Sequence, residues 1–374
     1  MIGRDAELGT GHRVVADALA GRGGILFVTG EPGIGKTRML TELYDYFERD
    51  VPQHGRALWL EGRCVSFGES MPYWPFRDLL RCWIGVGADE PELRVRVALR
   101  RSVDLLFGGR SAETYPYLAA LLGLTLEPGG GRLAELSPEA LQYRTFEVVR
   151  SVISRLAEDG PVAIALEDLH WADATSLQLL ERLFADTEEI ALLLVLTSRL
   201  ERDHPWWRLR EAAARELPHR VTDVALEALS GDAGRELLHA LVGAGTLPDE
   251  IERRILEPAE GNPFFLEELI RSLVDAGALM NDTPGWRFVH DAPLEIPPTV
   301  EKVILARIDR LGEGAREALV SASVLGRQFG LPLLAAVSDE SEAAARQSLL
   351  DLMRVDLVRE GGAGPSPSIA SSMR

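Results

Sequence analysis

Gly30-Glu31-Pro32-Gly33-Ile34-Gly35-Lys36-Thr37, followed by Arg38, carries the spacing GxxxxGK with a hydroxyl residue closing it. Each position has a physical use. Glycines let backbone amides turn toward phosphate oxygens with no side chain in the way. A helix starting behind the loop adds the positive end of its dipole. Lys36 has the reach to meet β- and γ-phosphates, and the Thr37 hydroxyl can ligate magnesium. The flanks agree with this reading. The apolar run Ile25 to Thr29 reads as a strand that ends at Gly30, and Met39, Leu40, Leu43 and Phe47 recur at helical spacing. Gly30, Gly33, Ile34, Gly35, Lys36, Thr37 and Arg38 are therefore the candidate nucleotide-binding residues, with Thr37 also a metal ligand.

Outward from the loop, short apolar runs at Ala57 to Leu60, Val162 to Leu166, Ile190 to Leu196 and Arg220 to Val224 read as further strands alternating with helices. That alternation predicts an α/β fold with a mostly parallel sheet covered by helices. Residues 62–132, with Pro72, Pro75, Pro91 and Pro116, read as short helices joined by loops. Ser137-Pro138-Glu139 has the chemistry of a helix start. Two acids, Glu167 and Asp168, stand at the end of one apolar run. A carboxylate there can hold magnesium, and a second can orient an attacking water. Glu167 is assigned to the metal side and Asp168 to the water. Thr197-Ser198-Arg199 ends the next run, and Arg199 is a candidate for sensing the γ-phosphate.

Beyond Glu227 the strand signal gives way to amphipathic helices over Leu229 to Val242, Glu250 to Leu256 and Phe264 to Ala276. Residues 282–298 read as a linker or short hairpin, helices resume near Thr299, and the Gly-, Ser- and Pro-rich residues 361–374 read as disordered or aberrant. With 40 Lys and Arg against 58 Asp and Glu, the net charge of −18 argues against tight non-specific binding to nucleic acid or anionic membranes. The Arg94–Arg101 cluster reads as a solvated helix face. No apolar run approaches the length of a membrane span. Cys64 and Cys82 lack CxxC spacing and read as packed, reduced thiols. A cytoplasmic location follows as the expectation.

With these residues in view, the chain resembles the STAND branch of the AAA-like P-loop ATPases. The modules in question occur in LuxR-type regulators and beside class III adenylyl cyclase domains. Ile2-Gly3-Arg4-Asp5-Ala6-Glu7-Leu8 is similar to the family's motif against adenine, which assigns Gly3 and Arg4 to the cofactor. Glu167 to Asp173, reading Glu-Asp-Leu-His-Trp-Ala-Asp, resembles its extended acidic motif, although Glu167 stands where many relatives carry Asp. Gly261-Asn262-Pro263-Phe264 is similar to the glycine-x-proline motif of a helical lid, where Pro263 approaches the base. Ile296-Pro297-Pro298-Thr299-Val300 and Arg307 to Leu311 resemble the start of a winged-helix-like domain.

The resemblance implies a P-loop NTPase domain over residues 1–228, a lid over 229–281 and a truncated winged-helix-like domain over 299–360. It implies ATP or ADP with Mg2+, ATP hydrolysis, and a regulatory switch in signal transduction or transcription. The partner or output domain is then encoded elsewhere, nucleotide-dependent self-association is expected, and no nucleic acid is bound directly. Two other readings stay open: an origin-recognition-like DNA-binding ATPase, and a catalytically silent nucleotide-binding scaffold.

Overall fold

The computed structural model of the chain describes residues 1–54, 56–65, 72–87, 90–125, 133, 135–243, 247–282, 285–289, 304–305, 308–309, 311–326, 328–354, 357–361 and 368–371. The chain divides into two compact units. One takes residues 6–30 and 37–225, the other residues 1–5, 31–36 and 226–374.

The first unit is built on β1 (Gly24–Gly30), β2 (Leu58–Arg63), β3 (Val162–Glu167), β4 (Leu192–Ser198) and β5 (Val221–Leu226). They lie in the order β2-β3-β4-β1-β5. β1 and β4 are buried at every residue, and β3 at all but its last, as strands covered on both faces must be. The pairs β1–β4, β3–β4 and β2–β3 are parallel. Gly30, Arg63, Glu167 and Ser198 therefore end at one edge, the edge where open α/β sheets take their ligands. The α/β expectation holds, and the strands fall where the apolar runs put them. β2 differs in running past Leu60 to Arg63.

The helices obey their local signals. Ser137 caps the helix Pro138–Asp159 by accepting from the Ala140 N–H at 3.2 Å. The stretch read as short helices joined by loops contains helices Trp74–Ile84, Glu92–Phe107 and Ser111–Leu121, with Pro75 in a first turn and Pro91 at an N-cap. Their apolar faces join the sheet in one core that includes Phe27, Leu60, Phe76, Leu118, Val149 and Leu194. Gly62 sits where a side chain cannot: an added Cβ would lie 2.2 Å from the Pro75 carbonyl oxygen. The helix Trp74–Ile84 thus rests directly on the end of β2.

In the second unit, helices Gly231–Val242, Asp249–Ala259 and Pro263–Asp275 pack through Leu238, Ile255, Leu266 and Leu269. A hairpin of β6 (Leu279–Asp282) and β7 (Gly285–Phe288) follows. Helices Glu313–Leu325, Leu331–Val337 and Glu342–Arg354 then surround Leu319, Phe329, Leu334 and Leu349. They are joined by β8 (Gln328–Phe329), β9 (Val358–Gly361) and β10 (Ser368–Ser371), arranged β8-β10-β9 with antiparallel pairing. Within residues 361–374, read as disordered or aberrant, Ser368–Ser371 form the strand β10. The prolines there, Pro365 and Pro367, fall outside the strand, so its N–H groups remain for pairing. Most of the linker 282–298 and the helix start near Thr299 lie outside the described residues. A correction concerns the thiols, since Cys64 is buried but Cys82 is exposed. Among the described residues no helix is long and apolar enough to cross a membrane.

Candidate functional site

At the edge of the first unit, register brings the acid pair to its partners. Arg63 is the β2 residue opposite Glu167 on β3. Its Nη2 donates to Glu167 Oε2 at 2.6 Å, and its Nε lies 3.5 Å from Asp168 Oδ2. Thr37, in the first turn of the helix Lys36–His54, donates its hydroxyl to the same Glu167 Oε2 at 2.8 Å. Arg63 Nη2 is also 3.5 Å from the Thr37 oxygen. The two carboxylates are only 17% and 19% exposed, so these contacts are partly shielded from water.

Asp168 is held in the left-handed region at φ 58, a conformation that Asp tolerates better than most residues. Its N–H donates to Thr197 Oγ1 at 3.2 Å. Thr197 at the tip of β4 therefore has a structural role in setting the acid pair. Arg199, just beyond that tip, lies with its guanidinium 5.9 Å from the centroid of the Trp171 ring. Asp173 caps the helix Ala174–Asp186 and His204 caps Pro205–Glu216, so two polar residues of this region serve helix starts.

Arg63 was missed by sequence reading. A lone arginine past an apolar run has no local signature, and its meaning depends on pairing with a strand about a hundred residues away. Behind it, the Asp78 carboxyl accepts from the Arg63 backbone N–H. Burial dominates that site and pushes the carboxyl up to about 6 against this hydrogen bond.

In the second unit the glycine loop meets the helix Pro263–Asp275. Asn262 caps that helix, its Oδ1 accepting from the Phe264 and Phe265 N–H groups at 3.1 and 3.2 Å. Its Nδ2 donates to the Pro32 carbonyl at 3.0 Å, and the Phe264 N–H reaches the Gly33 carbonyl at 3.3 Å. Gly33 has φ 77, and an added Cβ would stand 2.9 Å from both Asn262 Oδ1 and Phe264 Cβ. Within the loop the Glu31 carbonyl accepts from the Ile34 N–H at 3.3 Å and from Lys36 Nζ at 2.9 Å. A methyl group at Gly35 would come 3.0 Å from Met1 Cε. Gly3 is packed on Ala233 and Leu229, and the buried Arg4 donates to the Glu227 carbonyl. Pro263 borders a cavity of about 1010 Å3 that Ser230, Arg235, His239 and Glu252 also line. In the first unit, Arg38 turns its guanidinium back to Glu42 at 2.6 Å.

A hydroxyl and a carboxylate side by side form a hard-oxygen set suited to magnesium, which binds through few protein ligands and completes its shell with phosphates and water. Among the described residues no group of three or more His, Cys, Asp and Glu could hold a metal by itself. The donor set thus fits a metal brought in by a polyphosphate.

Comparison with known proteins identifies the family. The sequence model of the AAA ATPase domain matches residues 1–196, and that of a domain of unknown function matches residues 230–282. The uncharacterized protein R02095 of Rhizobium meliloti (strain 1021) is 27% identical over 360 residues, 94% of this chain and 32% of that protein. The chain thus spans about a third of the length of this curated relative. Among solved structures, a RuvB variant of Thermotoga maritima aligns over 99% of this chain and 93% of its own, with 12% identity and a TM-score of 0.38. A chain from the Drosophila ORC structure with AT-rich DNA and Cdc6 aligns over 98% and 90%, with 11% identity and a TM-score of 0.27. The family match takes in the glycine loop, Thr37, Arg63 and the acid pair, and it covers more than half of the residues. The chain belongs to the family of AAA ATPase domains, nucleotide-binding proteins built on the P-loop fold.

Proposed function

We propose that this chain is an ATP-hydrolysing switch module, in which the state of the nucleotide bears on the lid helix Pro263–Asp275 and, through it, on an output domain or partner encoded elsewhere. The observation that carries this reading is the direct joint between loop and lid. Asn262 spends its acceptor on the helix N-terminus and its donor on the Pro32 carbonyl. Any movement of the loop on filling with phosphate is therefore felt by the helix start.

In this reading Lys36 and the loop amides hold the β- and γ-phosphates, while Thr37 and Glu167 hold Mg2+. When bound, the metal would neutralise charge that develops on the phosphates. Asp168 orients the attacking water and accepts its proton. Arg199 contributes positive charge toward the γ-phosphate, and Gly3, Arg4 and Pro263 serve the base. A signalling or transcriptional setting, and nucleotide-dependent self-association, are part of the same proposal.

The test has two parts. Isothermal titration and phosphate release should show Lys36→Ala without ATP binding, and Asp168→Asn holding ATP without releasing phosphate. Wild-type turnover in both would overturn the assignment of roles. Hydrogen exchange over residues 262–275 should then differ between ATP and ADP. Identical exchange in both states would leave an ATPase but no switch.

A further inference from the structure

Arg63 stands where the proposed chemistry needs a different cation. Its Nη2 donates at 2.6 Å to the one Glu167 oxygen that also receives the Thr37 hydroxyl, and it lies 3.5 Å from that hydroxyl oxygen. A hydroxyl and a carboxylate oxygen sharing one cation are the protein half of a magnesium site. Here the shared cation is a guanidinium. Its placement is built in rather than incidental. Register sets Arg63 opposite Glu167, and the backbone on both sides of it is pinned. Gly62 lies tight beneath the Pro75 carbonyl, the Arg63 N–H is given to Asp78, and the Cys64 N–H is given to the Glu167 carbonyl at 2.9 Å.

Two cations cannot share one carboxylate oxygen at this range without strong repulsion, and the partial burial of the pair limits screening. We infer that Arg63 is a resident counter-ion of the nucleotide-free chain that competes with Mg2+ for Thr37 and Glu167. Magnesium engages only as the guanidinium gives up Glu167, whereupon its remaining carboxylate partner in this cluster is Asp168. Arg63 is thus a positioning residue, and its presence raises the magnesium concentration needed to complete the site. The inference rests on the proposed nucleotide reading, since the metal arrives with the polyphosphate.

The experiment titrates Mg2+ into the full chain at fixed ATP and reads the heat of nucleotide binding. Arg63→Gln should lower the half-saturating Mg2+ concentration roughly tenfold, as expected when one charged hydrogen bond to the ligand carboxylate is removed. Arg63→Lys keeps the charge but loses the planar fork, and should shift the value in the same direction by less. A half-saturation point unchanged or higher in Arg63→Gln, with a normal thermal melt, overturns the inference. If Arg63→Gln melts early, Arg63→Lys decides, and the same null there is equally fatal. Should wild type bind no ATP at any Mg2+ concentration, the phosphate-loop reading itself falls, and this inference with it. Should it bind ATP and the variants show no shift, only the role of Arg63 falls.

Discussion

Asp78 shows how one side chain can report on its surroundings. Burial raises its carboxyl to about 6, opposed by the Arg63 N–H it accepts and by the nearby Arg81 and Arg63 charges. A carboxyl whose folded value lies above its unfolded one binds more protons in the folded state. Its contribution is complete below the unfolded value near 4 and is lost as pH rises through about 6. Asp78→Asn keeps the acceptor for the Arg63 N–H and cannot ionise. Its stability advantage over wild type should grow between pH 5 and pH 8, reaching about 1–3 kcal/mol in paired thermal melts. An advantage that does not change with pH would show that Asp78 ionises as freely folded as unfolded. At the loop, Gly33→Ala meets both a positive φ and atoms 2.9 Å away, and should cost about 1–3 kcal/mol by the same measurement. The glycine loop, Thr37, Glu167 and Asp168 were all legible in the sequence because their meaning is local: a fixed spacing, or an acid at the end of an apolar run. Arg63 and the left-handed turn at Asp168 were not. One depends on which strand lies alongside, and the other on a hydrogen bond from the Asp168 N–H to Thr197 that spacing does not encode.

Among elements, the end of β2 and the start of the helix Pro263–Asp275 are two places where neighbouring segments meet closely. Gly62→Ala would force β2 and the helix Trp74–Ile84 apart, since the new carbon would overlap the Pro75 carbonyl at 2.2 Å and crowd Leu166 at 3.1 Å. A loss of about 1–3 kcal/mol in denaturant melts is expected. A neutral outcome would mean that the helix does not rest on the strand. Asn262→Ala removes both the cap of the helix Pro263–Asp275 and the donor to Pro32, and should cost about 1–2 kcal/mol. Chemical melts of the intact chain would reveal it. Element positions were the easier part of the reading, because apolar runs and Ser-Pro-Glu starts are direct consequences of burial and capping. The three helices between residues 74 and 121 were harder. Proline there marks helix starts at Pro75 and Pro91 but lies within a helix at Pro116, so the same residue carries opposite local messages. β10 was harder still, since four residues of Ser-Ile-Ala-Ser become a strand only by pairing on both sides, with Phe329 and Glu360 opposite Ile369.

For the molecule as a whole, charge sets the terms of encounter. A net charge of −18 repels a polyanion at long range, and the Arg94 and Arg96 guanidiniums are already paired with Glu90 and Glu92. Mobility-shift assays with duplex DNA at low salt should show no binding. A shift that weakens steeply with added salt would instead favour a DNA-gripping ATPase. The chain also weaves between its compact units, passing from one to the other at residues 5–6, 30–31, 36–37 and 225–226. A single cut therefore cannot release either as a working module. Residues 226–374 expressed alone would lack the short insert that covers Phe264 and accepts the Asn262 amide. Dissection of this protein into parts calls for grafting that insert back, and simple truncation is expected to yield a fragment with an uncovered aromatic seat.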